Sequence, residues 1–181
     1  MNLVERVKGI LLSPKEEWPK ISAESENTQS LYTGYIMILA AIGPVAMLIG
    51  SRIYGVTGAI VSYIVSLIMI YVVALIVDAL APTFGGEKNL IQSLKLVAFS
   101  CTAVWLAGIF QVLGMLAGLL SLLALIYSLY TFYLGVTVMK KCPQEKAVAY
   151  TVVVVVCVLV LGAILGALLR TTLYSGVPVG M

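Results

Sequence analysis

The chain of 181 residues contains no histidine. That absence removes the commonest general base and the commonest metal ligand. Charge is scarce as well: 10% of residues are charged and 61% are hydrophobic, against about 25% and about 45–50% in soluble domains. An ordinary globular domain is excluded, because so much apolar surface at this length needs an apolar solvent such as a bilayer. The three cysteines, Cys101, Cys142 and Cys157, are odd in number and widely spaced without a C-x-x-C pair, which argues against a disulfide framework or a zinc site. No phosphate-binding glycine motif, no Ser-His-Asp set and no metal-ligand cluster is present, so the expectation is no catalytic residue, no metal and no cofactor. Residues Met1 to Leu12 carry Glu5, Arg6 and Lys8 and lack the continuous apolar stretch of a signal peptide, so no cleavage is expected.

What is present is a series of long apolar runs. The expected fold is all-α, a polytopic bundle of five membrane-spanning helices preceded by short amphipathic helices. The spans are placed at about Leu31–Gly50, Val56–Leu80, Leu90–Val112, Leu116–Met139 and Ala147–Leu169, each of the roughly twenty residues that cross about 30 Å of hydrocarbon. Gly43-Pro44 predicts a kink in the first. The apolar stretch from Leu96 to Met139 is too long for one crossing, so a reversal is placed around Leu113–Met115. The valine run Val152–Val156 is assigned to a helix, because an open strand in lipid leaves backbone groups unsatisfied.

Ahead of the spans, Leu3, Val7, Ile10 and Leu11 share one face, which fits a helix lying in the headgroup plane or packed on the protein's own end. Ser13-Pro14-Lys15-Glu16 reads as a capping box opening a second helix. Trp18-Pro19 reads as an interfacial anchor that ends or kinks it. Three regions result: residues 1–30 as interfacial helices, 31–170 as the five-span domain, and 171–181 as a short outer tail.

The cations orient this arrangement. Arg6, Lys8, Lys15, Lys20, Lys88, Lys95, Lys140, Lys141 and Lys146 fall on one side, with Arg52 and Arg170 on the other. The positive-inside rule then predicts a multi-pass protein of the cell membrane with a cytoplasmic amino terminus and an extracytoplasmic carboxyl terminus.

The candidate polar residues are Asp78, Lys95, Gln92 and Glu145. Asp78 and Lys95 are the charges closest to the membrane interior, and antiparallel spans two and three would let them meet as an ion pair or line a proton or ion path. Tyr127, Tyr130 and Tyr133 advance by threes along span four, as internal packing or as an aromatic wall facing a substrate. Gly114-x3-Gly118 and Gly162-x3-Gly166 permit close helix approach, within the bundle or in self-association. The basic residues lie dispersed at membrane borders, which suits lipid headgroups and gives no support to nucleic-acid binding.

Several segments resemble the prokaryotic branch of the Yip1 family: Glu5-Arg6-Val7-Lys8-Gly9-Ile10-Leu11-Leu12-Ser13-Pro14-Lys15-Glu16-Glu17-Trp18, Phe84-Gly85-Gly86 with Gln92 to Ser100, Trp105 to Phe110, and Tyr127 to Gly135 with Pro143-Gln144-Glu145-Lys146. The resemblance implies five spans with the same orientation as the cation count. Eukaryotic members are associated with vesicle traffic and Rab-type GTPases, but their long cytosolic amino-terminal region has no counterpart here. Ala103 and Ala149 also stand where the family often has Pro and Gly. The expected role is therefore a non-enzymatic membrane protein acting through lipids, other membrane proteins or self-association. The alternative is permeation of a small ion, proton or lipid through the bundle. A docking surface, if one exists, is placed at the Lys140–Lys146 elbow beside the Phe84–Lys88 loop.

Overall fold

The structure, a computed structural model, describes residues 2–50, 55–113 and 115–174. Among these residues it is helical, with no strand. Two ten-residue helices, α1 (Leu3–Leu12) and α2 (Pro14–Ala23), form a hairpin. The first span assembles from α3 (Thr28–Leu31), a π-helical turn (Tyr32–Ile36), α4 (Met37–Ala40) and α5 (Ile42–Gly50). The others are α6 (Gly55–Leu80) with a 3₁₀ turn (Ala81–Phe84), α7 (Leu90–Ser100) with α8 (Thr102–Ala107) and a 3₁₀ turn (Gly108–Leu113), α9 (Met115–Met139), and α10 (Gln144–Tyr174).

Among the described residues, five helical stretches are long and apolar enough to cross a membrane: Thr28–Ile49, Val56–Phe84, Leu90–Gln111, Leu116–Met139 and Gln144–Leu168. The valine run lies inside α10, as the backbone argument requires. The break in span one falls at Ala41, two residues before Gly43-Pro44, and Val45 N–H bonds back to the Ala41 carbonyl. The reversal expected around Leu113–Met115 contains Gly114, which lies outside the described residues, as does Arg52; the packing of α8 on α9 and α7 on α9 sets spans three and four side by side.

Two expectations for the amino terminus need correction. Ser13 sits at the cap of α2 and Pro14 at its first position, but the Ser13 side chain makes no capping bond; the Ser13 carbonyl accepts from Glu16 and Glu17 instead. The capping box occurs later, where Asn27 and Ser30 bond reciprocally at the start of α3. Nor is Trp18 an interfacial anchor. It is 0% exposed, and α2 continues past Pro19 to Ala23.

The core explains why. Trp18, Ile21, Tyr35, Leu96, Phe99, Val136 and Tyr150 belong to one buried cluster, which gathers at the end of the bundle that carries the hairpin. Span three is its axis: every residue from Ser93 to Ser100 is buried. Toward the opposite end, the buried apolar side chains among the described residues shrink to Ala46, Ala59 and Ala107. There spans one and three cross so closely that a Cβ on Gly108 would stand 2.9 Å from Gly43 Cα.

Candidate functional site

Polar chemistry concentrates at the hairpin end, in a clamp and a socket. The clamp begins with Lys140, one residue beyond α9. Its Nζ donates to Asp78 Oδ1 at 2.8 Å, to Ser93 Oγ at 2.7 Å and to the Asn89 carbonyl at 3.2 Å. Asp78 also accepts from the Asn89 N–H at 2.7 Å. Three spans are thus tied at one point: α6 gives the carboxylate, α7 the serine and α9 leads to the ammonium. Burial pushes the Lys140 ammonium below its usual value, against the hydrogen bond and charge of Asp78.

Above the clamp, the elbow and the loop after span two are zipped together. Glu87 N–H donates to the Lys140 carbonyl at 2.8 Å, Lys141 Nζ pairs with Glu87 Oε2 at 2.8 Å, and Cys142 Sγ donates to the Phe84 carbonyl at 3.3 Å. Gly85 turns with φ +76°, and a Cβ on Gly86 would stand 2.8 Å from the Lys140 carbonyl oxygen, so the close fit needs both glycines. Below, Phe84 stacks on Tyr150 at 4.9 Å, and the Tyr150 hydroxyl donates to the Val77 carbonyl. The result is a fixed platform whose outer side chains, Lys88, Lys141, Pro143, Gln144, Glu145 and Lys146, are exposed.

The socket holds the hairpin. Trp18 Nε1 donates to the Thr131 carbonyl at 3.1 Å, and its ring fills the space left by Gly135, where a Cβ would stand 2.6 Å from the indole. Tyr127 donates to the Leu11 carbonyl at 2.8 Å, closing the end of α1. Lys95 Nζ donates to the carbonyls of Ile21 at 2.9 Å and Glu24 at 2.6 Å, and Gln92 Nε2 to that of Ser22 at 3.1 Å, closing the end of α2. Helix ends leave such carbonyls orphaned, and a cation there also complements the helix dipole. Inside the hairpin, Arg6 of α1 pairs with Glu17 and Glu24, and Lys20 joins Glu17 at 3.0 Å. Arg6 also lies 5.9 Å above the Phe99 ring.

The candidate residues are therefore distributed differently from the expectation. Asp78 meets Lys140, not Lys95; Lys95, 1% exposed, is spent on the carbonyls of α2. Tyr127 reaches α1 and its ring lies 6.0 Å from that of Tyr130, which is 45% exposed, while Tyr133 packs partly buried against the core. Glu145 is exposed in the first turn of α10, at the positive end of the helix dipole. A Cβ on Gly118, Gly162 or Gly166 would meet nothing within 4 Å among the described residues, so these positions serve no close approach to them.

A sequence model of the Yip1 domain matches residues 8–166, most of the chain. The chain belongs to the Yip1 family. Neither curated proteins nor solved structures give a match. Within this Yip1 domain the clamp, the platform and all but the first turns of the hairpin lie inside the matched residues. Sequence reasoning missed Gly135 and Lys140 as structural centres. Gly135 carried a signal: a glycine inside a helix is costly and marks a close approach. Lys140 carried none, because its place among elbow lysines reads as a solvated charge.

The clamp does pair serine with lysine, the ingredients of a nucleophilic dyad. Here all three ammonium protons are donated, the lysine carries its charge against Asp78, and both side chains are 0% exposed. A general base needs a free lone pair and a route to substrate. What the arrangement does chemically is hold three helix ends in register.

Proposed function

We propose that this Yip1-family protein is a non-enzymatic protein of the cell membrane that works by contact with lipids and other membrane proteins. The hairpin end, with the amino terminus, faces the cytoplasm. The single observation that carries this reading is the platform: two loops cross-linked to each other, anchored on a buried ion pair, and presenting six exposed side chains at the polar end. A preorganised surface loses little entropy on binding, which is what a docking face requires. The cation asymmetry supports the orientation.

Permeation would draw on Asp78, Lys95 and Gln92, but these groups are engaged in holding Lys140 and α2. Two assays separate the readings. Photo-crosslinking residues placed at Gln144 and Lys88 in intact cells are expected to give discrete protein adducts, while one at Leu159 gives lipid adducts; lipid adducts alone at all three positions would overturn the docking reading. Liposomes holding the purified protein are expected to show no ion or lipid flux above protein-free liposomes, and flux abolished by Asp78→Asn would overturn it in favour of permeation.

A further inference from the structure

The depth of the hairpin is fixed by which span residues hold it. Tyr127, which bonds the end of α1, lies twelve residues before Met139, about 18 Å along the axis of span four at 1.5 Å per residue. Span three agrees independently, because α1 packs against α8, which begins twelve residues after Leu90. Span four has 24 residues, about 36 Å of helix against about 30 Å of hydrocarbon. Even if the whole excess of about 6 Å projects at the hairpin end, the corner between α1 and α2 is held about 12 Å inside the membrane.

That corner is chemically divided. Leu12 is 79% exposed, the behaviour of a side chain meant for acyl chains. Lys15 and Glu16, in the next turn, are exposed charges. From the open end of the hairpin toward this corner, a cleft of about 430 Å³ between α1 and α2 is lined by Asn2, Glu5, Arg6, Gly9, Glu17, Lys20 and Glu24 and stops short of the corner residues themselves. Exposed charge at this depth is expensive in hydrocarbon, and the cost falls when the bilayer thins and water and headgroups follow the charge down.

We infer that the N-terminal hairpin is a re-entrant wedge that deforms the leaflet it enters, drawing headgroups and water down to Lys15 while Leu12 stays among acyl chains. Among the described residues, two hairpin helices and five spans occupy this leaflet against five spans in the other, each about 10 Å across. A body wider in one leaflet favours membranes that are convex on that side. This activity toward lipid bilayers rests on the lipid-contact reading above, but it uses the hairpin and not the platform, so the elbow crosslinks test that reading separately.

The test uses wild-type protein in phosphatidylcholine–phosphatidylglycerol liposomes with the hairpin side outward. A membrane-impermeant amine-reactive ester is expected to modify Lys15 within about tenfold of the rate at Lys88 and Lys146, with Lys95 and Lys140 protected as internal standards. In the same liposomes, a phospholipid with a diazirine in mid-chain is expected to crosslink Leu12. Lys15 as unreactive as Lys95 would overturn the inference, and so would absence of acyl-chain crosslinking at Leu12, which would put the hairpin above a flat leaflet. On tubes pulled from giant vesicles, protein with the hairpin side outward is expected to be enriched about twofold or more, and protein of opposite orientation depleted. Equal density on tubes of both orientations would overturn the wedge.

Discussion

The two ends of the bundle are built on different principles. At the hairpin end, large side chains and a buried ion pair are satisfied by donors and acceptors from three or more helices. At the other end, spans one and three approach through Gly43 and Gly108, and the buried apolar side chains among the described residues are alanines. Association of helices in lipid gains nothing from the hydrophobic effect, so it must come from packing and hydrogen bonds. The hairpin end uses both; among the described residues of the opposite half, the backbone approach of Gly43 and Gly108 is joined by a bond from the Tyr63 hydroxyl to the Met37 carbonyl at 3.0 Å.

Breaking the clamp should have the largest effect. Asp78→Asn leaves a buried ammonium without its counter-charge, at a cost of about 3–5 kcal/mol, while Asp78→Asn with Lys140→Met should recover most of it. Unfolding in detergent of the wild type, both single variants and the double variant reads this coupling; additive losses would refute it. Next comes the socket: Trp18→Ala removes a fully buried indole and should cost about 3–5 kcal/mol. Gly135→Val should displace the same ring, and both variants should expose the hairpin to protease before the spans unfold.

At the far end, Gly108→Val forces a side chain against the Gly43 backbone and should cost about 1–3 kcal/mol. Gly162→Ala and Gly166→Ala, facing open space, should change stability by no more than about 0.5–1 kcal/mol, and in the stabilising direction. A large loss at either would show that α10 packs against a second copy. The smallest effect concerns Cys142, whose thiol burial pushes up while Lys146 opposes. Thiolate forms only at higher pH than usual, so alkylation at pH 8 should be slower than in the unfolded chain and should accelerate with alkali.

The five spans and the helical reading of the valine run were legible in the sequence because length, hydropathy and backbone satisfaction in lipid leave few alternatives. The pairing of polar residues was not. Asp78 and Lys95 were the obvious couple by depth, yet depth along a span does not specify which neighbour lies beside it. Lys140 reaches Asp78 because the elbow folds back over the loop after span two, a tertiary event set by Gly85, Gly86 and the positive φ of Lys141. Trp18 was misplaced for a related reason: tryptophan suits an interface as well as a slot, and only Gly135, more than a hundred residues away, makes the slot.

The docking of the hairpin inside the bundle is tested most directly by the fluorescence of Trp18 in a Trp105→Phe protein reconstituted in lipid. A buried indole bonded to the Thr131 carbonyl should emit at short wavelength and resist aqueous iodide, and adding Gly135→Val should shift emission to the red and restore quenching. Free quenching of Trp18 in the parent protein, with no response to Gly135→Val, would contradict the account.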